Sequence, residues 1–568
     1  MAQPLPDRPA RRHDLDALRA VAMLLGIVLH VILSFAPQTA AAWPVTDVSA
    51  NGVYDLLMAA IHGFRMPLFF LLSGFFTAML WRSRGLKALL THRARRIGLP
   101  LFVGMFTIVP ATWAAFIFVA IAGELAAKPD DSSAPPTQAE QFWEAVNGGQ
   151  LEPVRAYVDS GADLNLRHPG SGATPLGSAI ALGHDELVAY LLESGADPDF
   201  GSRDQDTPLH VAAFFGRDEC CRLLLAHDAN PTATNRLGST PLDNARVDWV
   251  TTRFFSELIG IEVSRTQVEE GRAALIPMLE QAAGADGAPP PPASNALISG
   301  LYFMLVYFPV FHHLWFLWYL CWLIPAFAVY AWLADRFAWR GPPAAALLSP
   351  LRWLWLVPAT LVPQWMMGEL ETLYGPDTST GLIPAPHILL YYALFFFVGA
   401  WYYDAHDGAG RLTRGWRWTL PVALLVVFPL GYEVTLGPWG LRDAWLDPAW
   451  FHPLASLLQV LYVWLMVFGS MGLFAAVYSD ESRVMRYLSD SSYWLYLAHL
   501  PVVIIGQYLI AGWVFPSLGK IGLLLGVVSA LLLLSYDWLV RYTWIGRMLN
   551  GPRTRPRRSE QPVAVDAA

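Results

Sequence analysis

Residues 15–35 read "LDALRAVAMLLGIVLHVILSF", an apolar run about as long as a membrane crossing that nonetheless carries Arg19 and His30. Ionisable groups are costly in hydrocarbon, so where a span keeps them a functional reading comes first. Arg19 and His30 lie eleven residues apart, which on a helix is about 16 Å. Arg19 can sit at headgroup level, either as a snorkelling anchor or as a working cation. His30 then lies past the midplane, where imidazole cannot reach water. A secretory leader has an apolar core of only about 7–15 residues, so this run is expected to stay as the first span.

The rest of the composition agrees with a membrane protein. Of 568 residues, 55% are hydrophobic, 24 are tryptophan and only 15% are charged, against about 25% charged in soluble domains. The net charge of −8 averages an acidic middle third and short basic strips between apolar runs. No basic face interleaved with aromatics occurs, which argues against nucleic acid as a partner. Cys220, Cys221 and Cys321 form no disulfide framework and no metal-ligand spacing.

Apolar windows predict an all-α bundle of about ten transmembrane helices, near residues 16–36, 54–80, 99–121, 314–334, 351–367, 387–404, 419–437, 453–478, 490–512 and 518–541. Basic strips precede the first span (Arg8, Arg11, Arg12) and follow the second (Arg82, Arg84, Lys87, Arg93, Arg95, Arg96), fourth (Arg336, Arg340), sixth (Arg411, Arg414, Arg417) and eighth (Arg483, Arg486). With ten spans every strip falls on one side, expected to be cytoplasmic with both termini. Residues 296–312 are read as an interfacial or re-entrant helix, because an eleventh crossing there would put the later strips outside.

Between the third and fourth spans the pattern changes. "TPL" recurs at Thr174, Thr207 and Thr240, a period of 33 residues, beside "GHDELVAYLLESGADPD" and "DTPLHVAAFFGRDECCRLLLAHDANPT". Thr caps a helix, Pro fits its first turn and Leu enters the core between repeats. The segment resembles the ankyrin family, with a degenerate first repeat and three more over residues 140–265. Residues 122–139 and 266–295 read as linkers, which leaves 1–121 and 296–568 as the two parts of the membrane domain. His184 and His210 belong to the repeat motif and are read as structural. The solenoid is expected on the periplasmic or external face.

The second span adds "HGFRMPLFFLLSGFF", in which His62 and Arg65 share a helix face. Arg65 there needs an anion or a polar cavity. Below it Arg93, Arg95 and Arg96 exceed what orientation alone requires and could hold phosphates. Glu369 and Glu371 are read as solvated loop residues. His312 and His313 are neighbours that point apart, a poor pair for a metal, and no metal is expected.

Together these segments resemble the acyltransferase-3 family, polytopic bacterial enzymes that O-acylate envelope glycans and other hydroxyl acceptors. The resemblance rests on Arg19 and His30 in "LDALRAVAMLLGIVLH", on Arg65, Ser73 and Gly74 in "FRMPLFFLLSGFF", and on "RARRIGLP". It extends to "HHLWFLWYL" at His312 to Leu320 and to "SDSSYWLYLAHLPVV" with Tyr496 and His499. "HLWFLWYL" replaces the tryptophan-serine-leucine and glutamate of the larger branch and is similar to the glucan succinyltransferase branch. The resemblance implies a bacterial inner-membrane enzyme that moves an acetyl or succinyl group from acyl-CoA to a hydroxyl.

On that reading His30 and Arg19 are catalytic, His30 as the base or as a transient acyl carrier. Arg65, Ser73, Arg93, Arg95 and Arg96 bind the donor, since guanidinium forks suit phosphate. His312, His313, Trp315 and His499 meet the acceptor, with His499 either in the site or paired with the His30 helix. The ankyrin domain, which has no chemistry of its own, is expected to bind a protein partner or the acceptor. The competing class is a transporter or receptor whose ankyrin domain captures a ligand or a protein.

Overall fold

The computed structural model describes residues 12–39, 43–126, 138–168, 171–202, 205–235, 238–284, 305–306, 308–339, 341–367, 374–478 and 480–551. They fall into two compact units: Met1–Gly123 with Val306–Ala568, and Glu124–Leu305. Among the described residues the secondary structure is entirely helical.

The first unit opens with α1 (His13–Ile32), α2 (Gly52–Arg93) and α3 (Leu99–Ala126). Gly85, at φ 78°, interrupts α2 inside the basic strip, after Arg82 and Arg84 and before Lys87, and the strip continues through a π-turn at Ala94–Gly98 into α3.

The second unit is the solenoid. Three helix pairs stack: α4 (Gln138–Asn147) with α5 (Leu151–Asp159), α6 (Pro175–Leu182) with α7 (Asp185–Glu193), and α8 (Pro208–Phe215) with α9 (Asp218–Ala226); α10 (Pro241–Ala245) then packs on α8 and is followed in the chain by α11 (Trp249–Leu258). The threonines act as the spacing predicts: Thr174 Oγ1 accepts from Gly177 N at 2.9 Å, and Thr240 forms a reciprocal cap with Asp243. His210 Nδ1 accepts from Thr207 N while Nε2 reaches the Ser239 carbonyl at 2.8 Å, and His184 Nε2 reaches the Asn147 carbonyl at 3.0 Å. Both histidines are therefore stitches between repeats. Cys220 and Cys221 are fully buried, and burial pushes the Cys221 thiol up to about 12.

The segment expected as linker from residue 266 differs. Residues Arg265–Ala282 form α12, whose Val268, Leu275 and Leu279 are buried. Arg272 donates to the carbonyls of Ala213, Val247 and Phe214 and to Thr252 Oγ1. One guanidinium thus ties α12 to the third repeat and to the segment of α10 and α11, and α12 packs against α8, α9 and α10 where the second helix of a fourth repeat would lie. The other stretches expected as linker, 127–137 and 285–295, lie outside the described residues, as do residues 296–304 and Glu369 and Glu371.

The first unit resumes with α13 (Trp315–Arg336), α14 (Arg352–Trp365), α15 (Pro386–Asp404), α16 (Trp416–Leu436), α17 (Phe451–Val477), α18 (Arg483–Ile510) and α19 (Ser517–Ser535). A helix coincides with each of the ten predicted spans, yet seven segments among the described residues are long and apolar enough to cross. Gly52–Gly123 carries two predicted spans in one segment. With 14 residues, α14 reaches about 21 Å against a hydrocarbon layer of about 30 Å. The tyrosines and tryptophan of α15 lower its apolarity. On α3, Phe102, Phe106, Trp113 and Ile117 are exposed along one side, as lipid-facing side chains are. At the α2–α15 crossing a Cβ on Gly74 would strike the Phe396 carbonyl, and one on Gly399 the Leu71 carbonyl. Small residues let these two backbones touch.

Candidate functional site

A helix turns 100° per residue, so the eleven residues from Arg19 to His30 complete just over three full turns and return to the same face. Met23 and Gly26 lie on that face between them. It packs against α18, whose side chains meet α1 in order: Ser489 bonds Arg19, His499 bonds His30, and Gln507 bonds the carbonyls of His30 and Val31. Trp43 crosses the end of this seam, donating from Nε1 to Gln507 Oε1 at 2.9 Å with its ring 6.1 Å from that of His30. The segment bearing Trp43 is fixed farther along by the buried pair Lys520–Asp47, 2.8 Å apart.

Where α1, α2, α13 and α18 meet, they leave a cavity with about 480 Å³ of empty space. His30, Arg65, His313, Trp315, Tyr496 and His499 line it, with Met23, Gly26, Met66, Phe69 and Phe316 as its apolar walls. Residues 30, 65, 313 and 499 are far apart in sequence, and the bundle brings all four to one chamber.

The hydrogen bonds assign the protons on the two central imidazoles. His499 Nδ1 faces the carbonyls of Tyr496 at 2.7 Å and Leu495 at 3.1 Å, so it carries a proton. Its Nε2 lies 3.0 Å from His30 Nδ1, which also faces the Gly26 carbonyl at 2.8 Å. A lone pair on His30 Nδ1 would point at the Gly26 oxygen, so His30 Nδ1 holds the proton and shares it between Gly26 and His499. His30 Nε2 is left as an unprotonated nitrogen on a half-buried ring that lines the cavity. This is the state a general base needs.

Arg65 supplies the opposite character. Among the described residues its Nε is buried without an acceptor, and no carboxylate pairs with the guanidinium. Its Nη1 lies so close to Gly26 that a Cβ there would collide with it. His313 donates from Nε2 to the Leu497 carbonyl at 3.0 Å, which leaves Nδ1 without a partner. The Tyr496 hydroxyl donates to the His313 carbonyl at 2.6 Å. Among the described residues the chamber therefore offers two unprotonated imidazole nitrogens, Nε2 of half-buried His30 and Nδ1 of buried His313, with one unpaired cation and an aromatic wall.

The structure redistributes several expected roles. Arg19 does not line the cavity: it pairs with Asp16 at 3.3 Å, donates to Ser489 Oγ at 2.9 Å and stands over Phe76. Three helical turns from His30, it stands apart from the chamber in which His30 lies, although the two were expected to act together. Arg65 moves the other way, from the donor-phosphate group into the His30 chamber. Arg93 bonds Thr77 Oγ1 at 2.8 Å, and its charged neighbours are Arg19 and Arg96. Arg95 is exposed, and Arg96 reaches the Leu549 carbonyl at 3.3 Å. Ser73 does not line the chamber and offers its carbonyl to Thr77. His312, at φ 43°, turns away from His313 to lie between Trp113 and Phe116. His499 occupies both of its expected places, lining the chamber and bonded to the His30 ring. Gly26, Gln507 and Trp43 had no assigned role. Of these, Gly26 and Gln507 could have been found from helical spacing, at four residues from His30 and eight from His499.

The profile of the acyltransferase domain family matches residues 12–133 and 273–537, more than half of the chain. The chain belongs to the acyltransferase-3 family. An ankyrin-repeat profile of three copies matches residues 142–235. Proteins named "Glucans biosynthesis protein C" from Escherichia coli K12 and from strain SMS-3-5 are 37% identical to it over 98 residues. Those residues are 17% of this chain and 25% of each relative, so the chain spans about a quarter of the length of these curated relatives. The acyltransferase match stops at residue 133 and resumes at residue 273, so the solenoid is an insertion in the family's domain.

Proposed function

We propose that the protein is a bacterial inner-membrane O-acyltransferase that moves an acetyl or succinyl group from acyl-CoA to a hydroxyl of an envelope glucan or a similar acceptor. The observation that carries this reading is the free Nε2 of His30 opening on the same chamber as the unpaired Arg65 guanidinium. His30 Nε2 takes the acceptor's hydroxyl proton as the oxygen attacks the thioester carbonyl and the carbon–oxygen bond forms. Arg65 N–H groups stabilise the oxyanion. The carbon–sulfur bond then breaks, and the leaving thiolate takes the proton back from His30 Nε2. Arg93, with Arg19, Arg95 and Arg96, would hold the donor's phosphates at the end of the bundle that the basic strips mark as cytoplasmic. The glucan assignment is supported by the names of the relatives and by the likeness of "HLWFLWYL" to the glucan succinyltransferase branch.

The test compares base-labile acyl groups on envelope glycans of a strain lacking the gene with the same strain carrying it. Acyl groups should disappear with the gene and return with it. Glycans and lipids that match in both strains would leave the transporter or receptor reading ahead.

The solenoid is assigned to binding a protein partner or the acceptor, on the non-cytoplasmic face. Excising residues 130–290, which removes the repeats together with α12, and joining the ends by a short linker should leave acyl-CoA turnover within about threefold of the intact protein. Acceptor choice or partner binding should change instead. Loss of transfer to every acceptor from a normally inserted truncated protein would count against this division.

A further inference from the structure

We propose that His499 is a positioning residue for acyl transfer, whose Nε2 accepts the His30 Nδ1 proton and steadies the charge His30 acquires. The inference rests on the reading of His30 as the base. When His30 Nε2 takes a proton, the ring becomes an imidazolium with N–H groups on both sides. The 3.0 Å contact to His499 Nε2 then becomes a charge-assisted hydrogen bond. His499 can serve only as an acceptor here, because its Nδ1 proton is committed to the Tyr496 and Leu495 carbonyls. The arrangement repeats with two imidazoles what a carboxylate does for the histidine of a serine-protease triad, where the third group orients the ring and never itself takes the proton.

The position of His499 suits this task. It is almost fully buried, at 1% exposure, whereas His30 is only half-buried. The free nitrogen of the pair thus belongs to His30, while both nitrogens of His499 are spent on holding it. The Gly26 carbonyl also accepts from His30 Nδ1, but it lies on the helix of His30 itself. His499 holds the ring from across the seam. Gln507, two turns farther along α18, fixes the same register by bonding the His30 and Val31 carbonyls. Among the described residues no carboxylate lines the chamber. The titratable or charged groups around His30 are Arg65 and His62 on α2, His313 before α13, and Tyr496 with His499 on α18.

The experiment uses the full-length protein in lipid, with the acyl-CoA that supports transfer by the intact protein and a glucan oligosaccharide as acceptor. His499→Leu should lower kcat about 10- to 100-fold, the usual cost of losing an orienting partner, with KM for both substrates unchanged. His499→Gln places an acceptor oxygen near the Nε2 position and should recover most of that loss. Where the leucine variant is not recovered in the membrane, His499→Met replaces it as the apolar reference. Full activity of the apolar variant, or a glutamine variant as slow as the apolar one, overturns the proposal. The first result together with an inactive His30→Ala overturns it alone. Transfer that survives His30→Ala overturns the base assignment and this inference with it.

Discussion

His30→Ala is expected to lower acyl transfer by about 10³-fold or more, while insertion and the amount in the membrane stay at the level of the intact protein. One nitrogen is asked to do two things. It accepts the hydroxyl proton and later returns it to the thiolate, and each such step by a placed side chain is commonly worth about 10²–10⁴. Asparagine or glutamine at position 30 should fare no better, because an amide supplies no basic nitrogen. Stability should move little by comparison. The substitution leaves His499 Nε2 and the Gln507 side chain in place, and an orphaned buried acceptor costs about 1–3 kcal/mol. Thiol release from acyl-CoA in the presence of acceptor, read beside thermal unfolding, separates the two effects. A rate within about tenfold of the intact protein would sink the assignment of His30 as base.

The parts of this molecule that local rules govern were legible in the sequence, and the parts that long-range packing governs were not. Thr174, Thr207 and Thr240 announce the solenoid because capping is a matter of three or four residues. The apolar run around His30 announces a span because a bilayer imposes its own length. By contrast α12 hides its three core positions, Val268, Leu275 and Leu279, among Glu269, Glu270 and Arg272, so polarity disguised a helix as a linker. Local spacing gives Arg19 an acid, Asp16, three residues before it on the same helix, and gives Arg65 none. Only the fold adds Ser489 to the first and sets the second facing a cavity. The His30–His499 contact joins residues 469 apart, a distance at which no local rule operates. His499 was visible as an intramembrane histidine, but its partner was not.

Arg65 offers the sharpest separation of catalysis from stability, because the two should move in opposite directions. A cation within a helical bundle that meets no carboxylate among the described residues has lost hydration without a compensating ion pair there. Such a group is kept at the expense of stability, which is the usual mark of a site selected for function. Arg65→Met fills similar volume without the charge. It should leave the thermal midpoint unchanged or raised, while kcat falls about 10²–10³-fold, the usual cost of removing an oxyanion donor. Arg65→Lys keeps the charge but loses the planar fork, and should fall between the two. The same logic reaches α1. At Gly26 a Cβ would occupy the place of Arg65 Nη1, so Gly26→Ala should displace the guanidinium and reproduce part of the Arg65→Met loss with every chamber side chain still present. Transfer rates and melting curves on the three purified variants are the measurement. If Arg65→Met is instead less stable and fully active, Arg65 is a packing residue, and the oxyanion must be stabilised by another group in the chamber.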